Sequence, residues 1–217
     1  MESYFSVYNK LMPSRNVVKR DVPFTFYHVY ARGHGRNAIY RDDEDYRVFF
    51  NLLKRHLNIK VENDCNGRPY VNLRGEIELT CYCLMPNHFH LLLYQIDESA
   101  MSRLMRSIMT SYSRYFNKKY ELSGALFETT YKASIIISDR YLLYISRYIH
   151  LNPNNKGWRN YLYSSLQYYL GQRAPEWLQP KRITELFSTL DEYKMFIDDY
   201  DDYQSVLDEI KSELAGG

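Results

Sequence analysis

"CLMPNHFHLLLY" (residues 83–94) decides how the rest of the chain is read. Met85-Pro86-Asn87 separates two apolar runs: proline cannot donate to a ladder, and asparagine favours turns. The run before it, "EIELTCYCLM", and the run after it, "HFHLLLY", therefore pair as an antiparallel hairpin. In the first strand Ile77, Leu79, Cys81 and Cys83 alternate onto one face. In the second, His88 and His90 stand two apart, so both imidazoles leave the same face of the sheet. Histidine adds little to a core, and a pair of them in a half-buried strand needs a reason.

By spacing alone, three reasons compete. Both rings can be hydrogen-bonded core histidines, the commoner fate of a lone His-x-His. They can share one divalent cation. With a four-residue loop over residues 84–87, Cys83 would face His88 and Cys81 would face His90, and the four could hold tetrahedral zinc. Against zinc, the Cys-x-Cys spacing is tighter than usual, and free cysteine is often a small core hydrophobe.

Outward from the hairpin, "PFTFYHVYAR" (residues 23–32) alternates Phe24, Phe26, His28 and Tyr30 on one face and reads as a strand. It ends at the flexible, basic turn "GHGR". "DDEDYRVFFNLLKRHLN" carries acids in its first turn and apolar residues at helical spacing, which predicts a helix. A long helix is expected over residues 99–120, and "KASIIIS" (residues 132–138) is rich in β-branched residues, as a fourth strand would be. Asp139 is expected to cap a helix running to about Asn152, which Pro153 helps to stop. Residues 161–170 suit a short helix, and the stretch beyond Pro180 one or two amphipathic ones. The order strand–helix–strand–strand–helix–strand–helix predicts an α+β fold. The expected form is a ferredoxin-like sandwich, its antiparallel sheet carrying helices stacked on one side. The expected division is a domain over residues 1–160 and a helical extension over 161–217.

Composition narrows the classes. The chain has 217 residues, 45% hydrophobic and 25% charged, enough for one domain with a real core. A formal net charge of +2 excludes a globally basic protein, but the charge is unevenly spread. Arg103, Arg106, Arg114, Lys118, Lys119 and Lys132 face only Glu121 and Glu128, whereas Asp198, Asp199, Asp201 and Asp202 crowd the tail. That asymmetry fits a polyanion site on one face. The 23 tyrosines suit stacking on unpaired bases. Three cysteines make no secreted scaffold, no signal peptide opens the chain, and no apolar run reaches the ~20 residues of a membrane span. A soluble, cytoplasmic protein with reduced thiols is expected.

"DRYLLYISRYIHLNPN" (residues 139–154) supplies the partner for the histidines. Tyr144, Tyr148 and Asn152 recur every fourth residue and form one polar helical stripe, beside the apolar Leu142, Ile145 and Ile149. A cation held by His88, His90 and Asn152 would lie close to the Tyr148 phenol. It could polarise a phosphodiester and position it for attack by the tyrosine oxygen.

"MPNHFHLLL" followed at distance by "YIHLNP" resembles the single-tyrosine HUH transposases, and among them the REP-associated tyrosine transposases. "YHVYARGHGRNAIY", "SGALFETTYKAS" and "YSSLQYYLG" extend the likeness over residues 22–178. The resemblance implies His88 and His90 as metal ligands, Tyr148 as nucleophile and Asn152 as third ligand, with Mg²⁺ or Mn²⁺ as the metal. It implies cleavage of single-stranded DNA beside a hairpin, leaving a 5′-phosphotyrosine and a free 3′-OH. It also implies partners among hairpins of repeated palindromic elements. No nucleotide cofactor is expected, since the phosphotyrosyl bond stores the energy of the broken phosphodiester and no P-loop pattern is present. Charge and position, not the family motif, nominate Arg32, Arg36, Arg103, Arg106, Arg114, Lys118 and Lys132 as DNA contacts. The alternative is a hairpin-DNA-binding protein of the same fold that does not cleave. Either suits a monomer or homodimer with no membrane association.

Overall fold

Alternating apolar residues and capped amphipathic segments give seven principal elements in a computed structural model that describes residues 22–153 and 157–199. They are β1 (Thr25–Arg32), α1 (Asp43–Leu57), β2 (Ile77–Met85), β3 (His88–Gln95), α2 (Ala100–Lys119), β4 (Lys132–Ile136) and α3 (Asp139–Leu151). The strands form one sheet in the order β2-β3-β1-β4, every neighbouring pair antiparallel. This is the expected α+β, ferredoxin-like arrangement. The Asp42 and Asp45 side chains close a capping box that starts α1. Ser138, not Asp139, caps α3, accepting the Tyr141 N–H and ending β4 two residues early. Three short helices follow: α4 (Leu166–Tyr169), α5 (Lys181–Thr184) and α6 (Leu190–Asp198). Residues 161–170 are thus helical only in α4.

Helices cover both faces of the sheet rather than one. On the first face Tyr27, Val29, Phe89 and Leu91 pack with Phe49 and Leu53 of α1 and Leu104 and Ile108 of α2. On the second, Cys81, Cys83, Leu92 and Ile136 pack with Leu142, Ile145 and Ile149 of α3 and with Tyr169 and Tyr193. β3 is buried on both sides through Phe89–Leu93. Such a doubly covered strand reads as a continuous apolar run and does not say which face α3 takes.

Two local departures reset the faces of β2. The hairpin turns over Pro86 and Asn87 alone, pairing Met85 with His88 and Cys83 with His90, so the expected four-residue loop does not form. A bulge between Leu79 and Cys81 then shifts the register, and Cys81 stands opposite Leu92. A bulge adds one residue to one strand and inverts the alternation beyond it. Ile77 and Leu79 accordingly join the α1–α2 core, while Cys81 and Cys83 join the α3 core.

The segment after residue 160 completes this packing. Leu84 N–H bonds to Tyr163 O, Tyr82 N–H to Ser165 Oγ, and the Tyr169 hydroxyl donates to Thr80 O at the bulge. Backbone that would otherwise be a bare sheet edge is thereby paired. Among the described residues no helix is long and apolar enough to cross a membrane. The expectations placed on the first ten residues and on Asn154, Asp201 and Asp202 lie outside the described residues.

Candidate active site

The Pro86-Asn87 turn is held from outside by "GHGR". Gly33 N–H donates to Asn87 O at 2.8 Å, and the N–H groups of Ile39 and Tyr40 both reach Pro86 O, at 2.8 and 3.0 Å. A Cβ on Gly33 would stand 2.1 Å from Asn37 O, so only glycine lets the chain pass so close to itself. The first residue after this latched turn is His88.

Across the second face, cross-strand pairs set the site in rows. Arg32 stands opposite His88, and Lys132, Tyr30, His90 and Cys83 form the next row. The His88 and His90 ring centroids are 5.1 Å apart and nearly perpendicular. α3 lies over these rows and brings Tyr148 to 5.4 Å from the His90 ring and 6.1 Å from His28. One turn on, Asn152 Oδ1 lies 3.0 Å from His88 Nε2. His88, His90, Tyr148 and Asn152 therefore converge, as the sequence pattern expects. Tyr144, on the same helical stripe, packs instead near Phe196 and Arg147.

Burial is the main electrostatic influence here. With a smaller contribution from the Arg32 charge and against the hydrogen bond shared with Asn152, it lowers His88 to about 4. It drives His90 well below the usual range, helped by His28, His88 and Arg32. Both imidazoles are therefore neutral at pH 7, the form that ligates metals. Burial also raises the Tyr148 phenol, opposed by its hydrogen bond with Asn152 and by the Arg32 charge. The phenol is protonated at neutral pH.

A neutral imidazole has one N–H to give. Asn87 Oδ1 stands 2.7 Å from His88 Nδ1 and can only accept, so the proton belongs on Nδ1. Nε2 is then a lone pair facing Asn152. Turned one way, the Asn152 amide donates N–H to it; turned the other, two lone pairs meet at 3.0 Å and call for a cation. Adjacent ligands at the ~2.1 Å bond length of octahedral Mg²⁺ stand about 3.0 Å apart. The donor set of two imidazoles and an amide oxygen thus fits a small divalent ion.

The zinc arrangement is not formed. Among the described residues no three His, Cys, Asp or Glu side chains are placed to hold a metal. The two-residue turn and the bulge put Cys81 opposite Leu92, with its thiol 3.2 Å from His150 Nε2. Burial pushes both Cys81 and Cys83 thiols well above their ordinary range, so neither is a ready thiolate.

The nominated DNA contacts divide by face. Arg32 and Lys132 belong to the site rows, and Arg36 is exposed beside the turn, its carbonyl accepting from Asn87 Nδ2. Arg103, Arg106, Arg114 and Lys118 all lie on α2, across the sheet from Tyr148, and Arg103 is ion-paired to Glu76. One histidine of the site, His28, was given no role by the sequence reading. His28 contacts His90 Nδ1 through its Nε2 at 2.9 Å; its only signal was its place on the β1 face that later proves to carry the site. His150, two residues from Tyr148, points away into a fully buried network with Ser165 and Tyr193. Helical geometry foretold that divergence, though not the partners.

The site thus sets a pair of neutral histidines on a ferredoxin-like sheet against a helix-borne tyrosine and asparagine. Among solved structures, the chain is similar to a "REP associates tyrosine transposase bound to a REP hairpin". The TM-score is 0.51 at 13% identity, covering 75% of this chain and 89% of that one, which is a likeness of fold. A search of curated proteins finds no match. The family model described as "Transposase IS200 like" matches residues 28–152, more than half of the chain, from His28 in β1 to Asn152 at the end of α3. The chain belongs to the IS200-like transposase family.

Proposed function

We propose that this transposase cuts and rejoins single-stranded DNA beside a hairpin, with Tyr148 as nucleophile and His88, His90 and Asn152 holding Mg²⁺ or Mn²⁺. The observation that carries the reading is the meeting of Tyr148 and Asn152 with His88 and His90, some sixty residues away, on the second face of the sheet. The bound ion would supply Lewis-acid polarisation of the phosphate and stabilisation of the leaving oxygen.

The chain's own residues do the rest. Tyr148 Oη attacks the scissile phosphorus, the bond to the 3′-oxygen breaks, and the phenol proton is lost to solvent while the 3′-oxygen gains one. One phosphodiester replaces another, so the step reverses without a nucleotide cofactor. Asn152 touches both the phenol and His88, and so fixes the distance between nucleophile and ligand set. Arg32 favours the phenolate by its charge and is placed to meet a phosphate. Tyr30 and Lys132 continue the surface along which an unpaired strand would run.

The test is a hairpin oligonucleotide with a single-stranded flank, incubated with Mn²⁺ and resolved under denaturing conditions. A covalent adduct is expected from the wild type and Tyr144→Phe, and none from Tyr148→Phe. An adduct that persists in Tyr148→Phe refutes the nucleophile; hairpin binding with no adduct from any protein favours the non-cleaving alternative.

A further inference from the structure

His28 is fully buried, and it is an expensive choice for a core position. Its Nε2 contacts His90 Nδ1 at 2.9 Å, but its Nδ1 finds no hydrogen-bond partner among the described residues. A buried ring nitrogen left unpaired is destabilising, as a leucine of similar size would not be. The ring lies nearly parallel to His90, with centroids 5.0 Å apart, and is flanked by Tyr30 on the other strand position of the same face. Packing alone gives no reason for an imidazole there.

The contact with His90 does. One proton lies between His90 Nδ1 and His28 Nε2. If it sits on His28, His90 must carry its own proton on Nε2, and that nitrogen cannot ligate. If it sits on His90 Nδ1, the Nε2 lone pair is free, and His28 keeps its proton on the unpaired Nδ1. The second state leaves a buried N–H without an acceptor, a cost worth bearing only if His90 Nε2 is needed elsewhere. Metal-bound histidines generally donate their other N–H to a partner that orients the ring.

We infer that His28 is the positioning residue of the metal site: it accepts the His90 Nδ1 proton and so presents Nε2 to the cation. The inference rests on the proposed ligand set. His88 receives the same service from Asn87 Oδ1, so each ligand histidine has its own acceptor, one on the turn and one on the adjacent strand.

Mn²⁺ binding, followed by electron paramagnetic resonance on the protein without DNA, tests it. His28→Leu should raise the Mn²⁺ dissociation constant 10–100-fold. His28→Gln, whose Oε1 can accept the same proton, should stay within about threefold of wild type on that scale. Should the leucine variant not fold, the ¹⁵N shifts of His90 in Mg²⁺-loaded wild type decide, since Nδ1 must carry the proton. Unchanged affinity in His28→Leu overturns the inference while leaving the site intact; a His90 proton on Nε2 overturns it together with His90 as a ligand. If wild type and His88→Ala bind Mn²⁺ alike, the ligand set itself is wrong and the role of His28 falls with it.

Discussion

His150 sits two residues from Tyr148, and a histidine so near the proposed nucleophile invites a role as general base. The structure gives it a different one, and His150→Gln separates the two. The ring is fully buried, with Nδ1 2.8 Å from the Tyr193 hydroxyl and Nε2 2.8 Å from Ser165 Oγ. Burial lowers its pKa to about 3, against about 6.5 when exposed. Between those values the unfolded chain binds the proton and the folded chain does not, so stability rises with pH. This contribution is complete above about pH 6.5 and drains away as pH falls toward 3. At pH 5 the wild type should have lost about 2 kcal/mol through His150 alone, relative to pH 7.5. His28, His88 and His90 are also depressed, but they remain in both proteins and cancel in the comparison. Urea unfolding at the two pH values should therefore show the variant less stable at pH 7.5, by about 1–3 kcal/mol for the disturbed hydrogen bonds. The gap should narrow by about 2 kcal/mol at pH 5. Adduct formation on hairpin DNA should keep its rate within a few-fold. Parallel pH dependences would show that His150 is not held neutral by burial. A rate loss of about 10²-fold or more in a folded variant would make it the base after all.

Other outcomes follow from the same geometry. Arg32→Ala should weaken single-strand binding and reduce the salt slope by about one, whereas Arg114→Ala, on the far side of the sheet, should change neither; filter binding at several salt concentrations reads both. Gly33→Ala must move the Asn37 carbonyl, and should lower stability by about 1–3 kcal/mol in urea titration while weakening Mn²⁺ binding through the loosened turn. Cys81→Ala and Cys83→Ala should leave Mn²⁺ affinity unchanged and no zinc to lose, as metal analysis of the purified proteins would show. Stoichiometric zinc that disappears in either variant would restore the four-ligand arrangement.

The residues that converge at the candidate site were legible because each placement rests on local rules. A two-residue period puts His88 and His90 on one face whatever the strand pairs with, and a four-residue helical repeat puts Tyr148 and Asn152 on one stripe. What failed was the relation between elements. Extending the alternation of β2 from Ile77 to Cys83 assumes a regular strand, and the bulge beside Thr80 breaks it. Nothing in "ELTCYC" announces a bulge. The groups that satisfy its backbone lie in residues distant in sequence: Tyr169, whose hydroxyl meets Thr80 O, and Ser165, which takes the Tyr82 N–H. That the cations of α2 lie across the sheet from Tyr148 was illegible for the same reason, since a run of like charge marks a helix face but not the side of the sheet that helix covers.

The bulge also gives the C-terminal segment a part in the site. Without it, the apolar face of Ile77 and Leu79 would run on through Cys81 and Cys83, and β2 would offer its polar alternates to α3. With it, Cys81 and Cys83 pave the floor beneath α3, and His150 reaches down between Cys81 and Ser165. Ser165 in turn binds both the N–H and the carbonyl of Tyr82. The helix bearing Tyr148 is therefore seated on β2 by a residue of the same helix, gripped by a segment that follows it. Tyr148 and Asn152 face His88 and His90 because His150, on the other side of one helical turn, is locked into that grip. "YSSLQYYLG" thus belongs to the machinery through packing rather than chemistry, and its loss should disturb the position of Tyr148 before it touches any ligand.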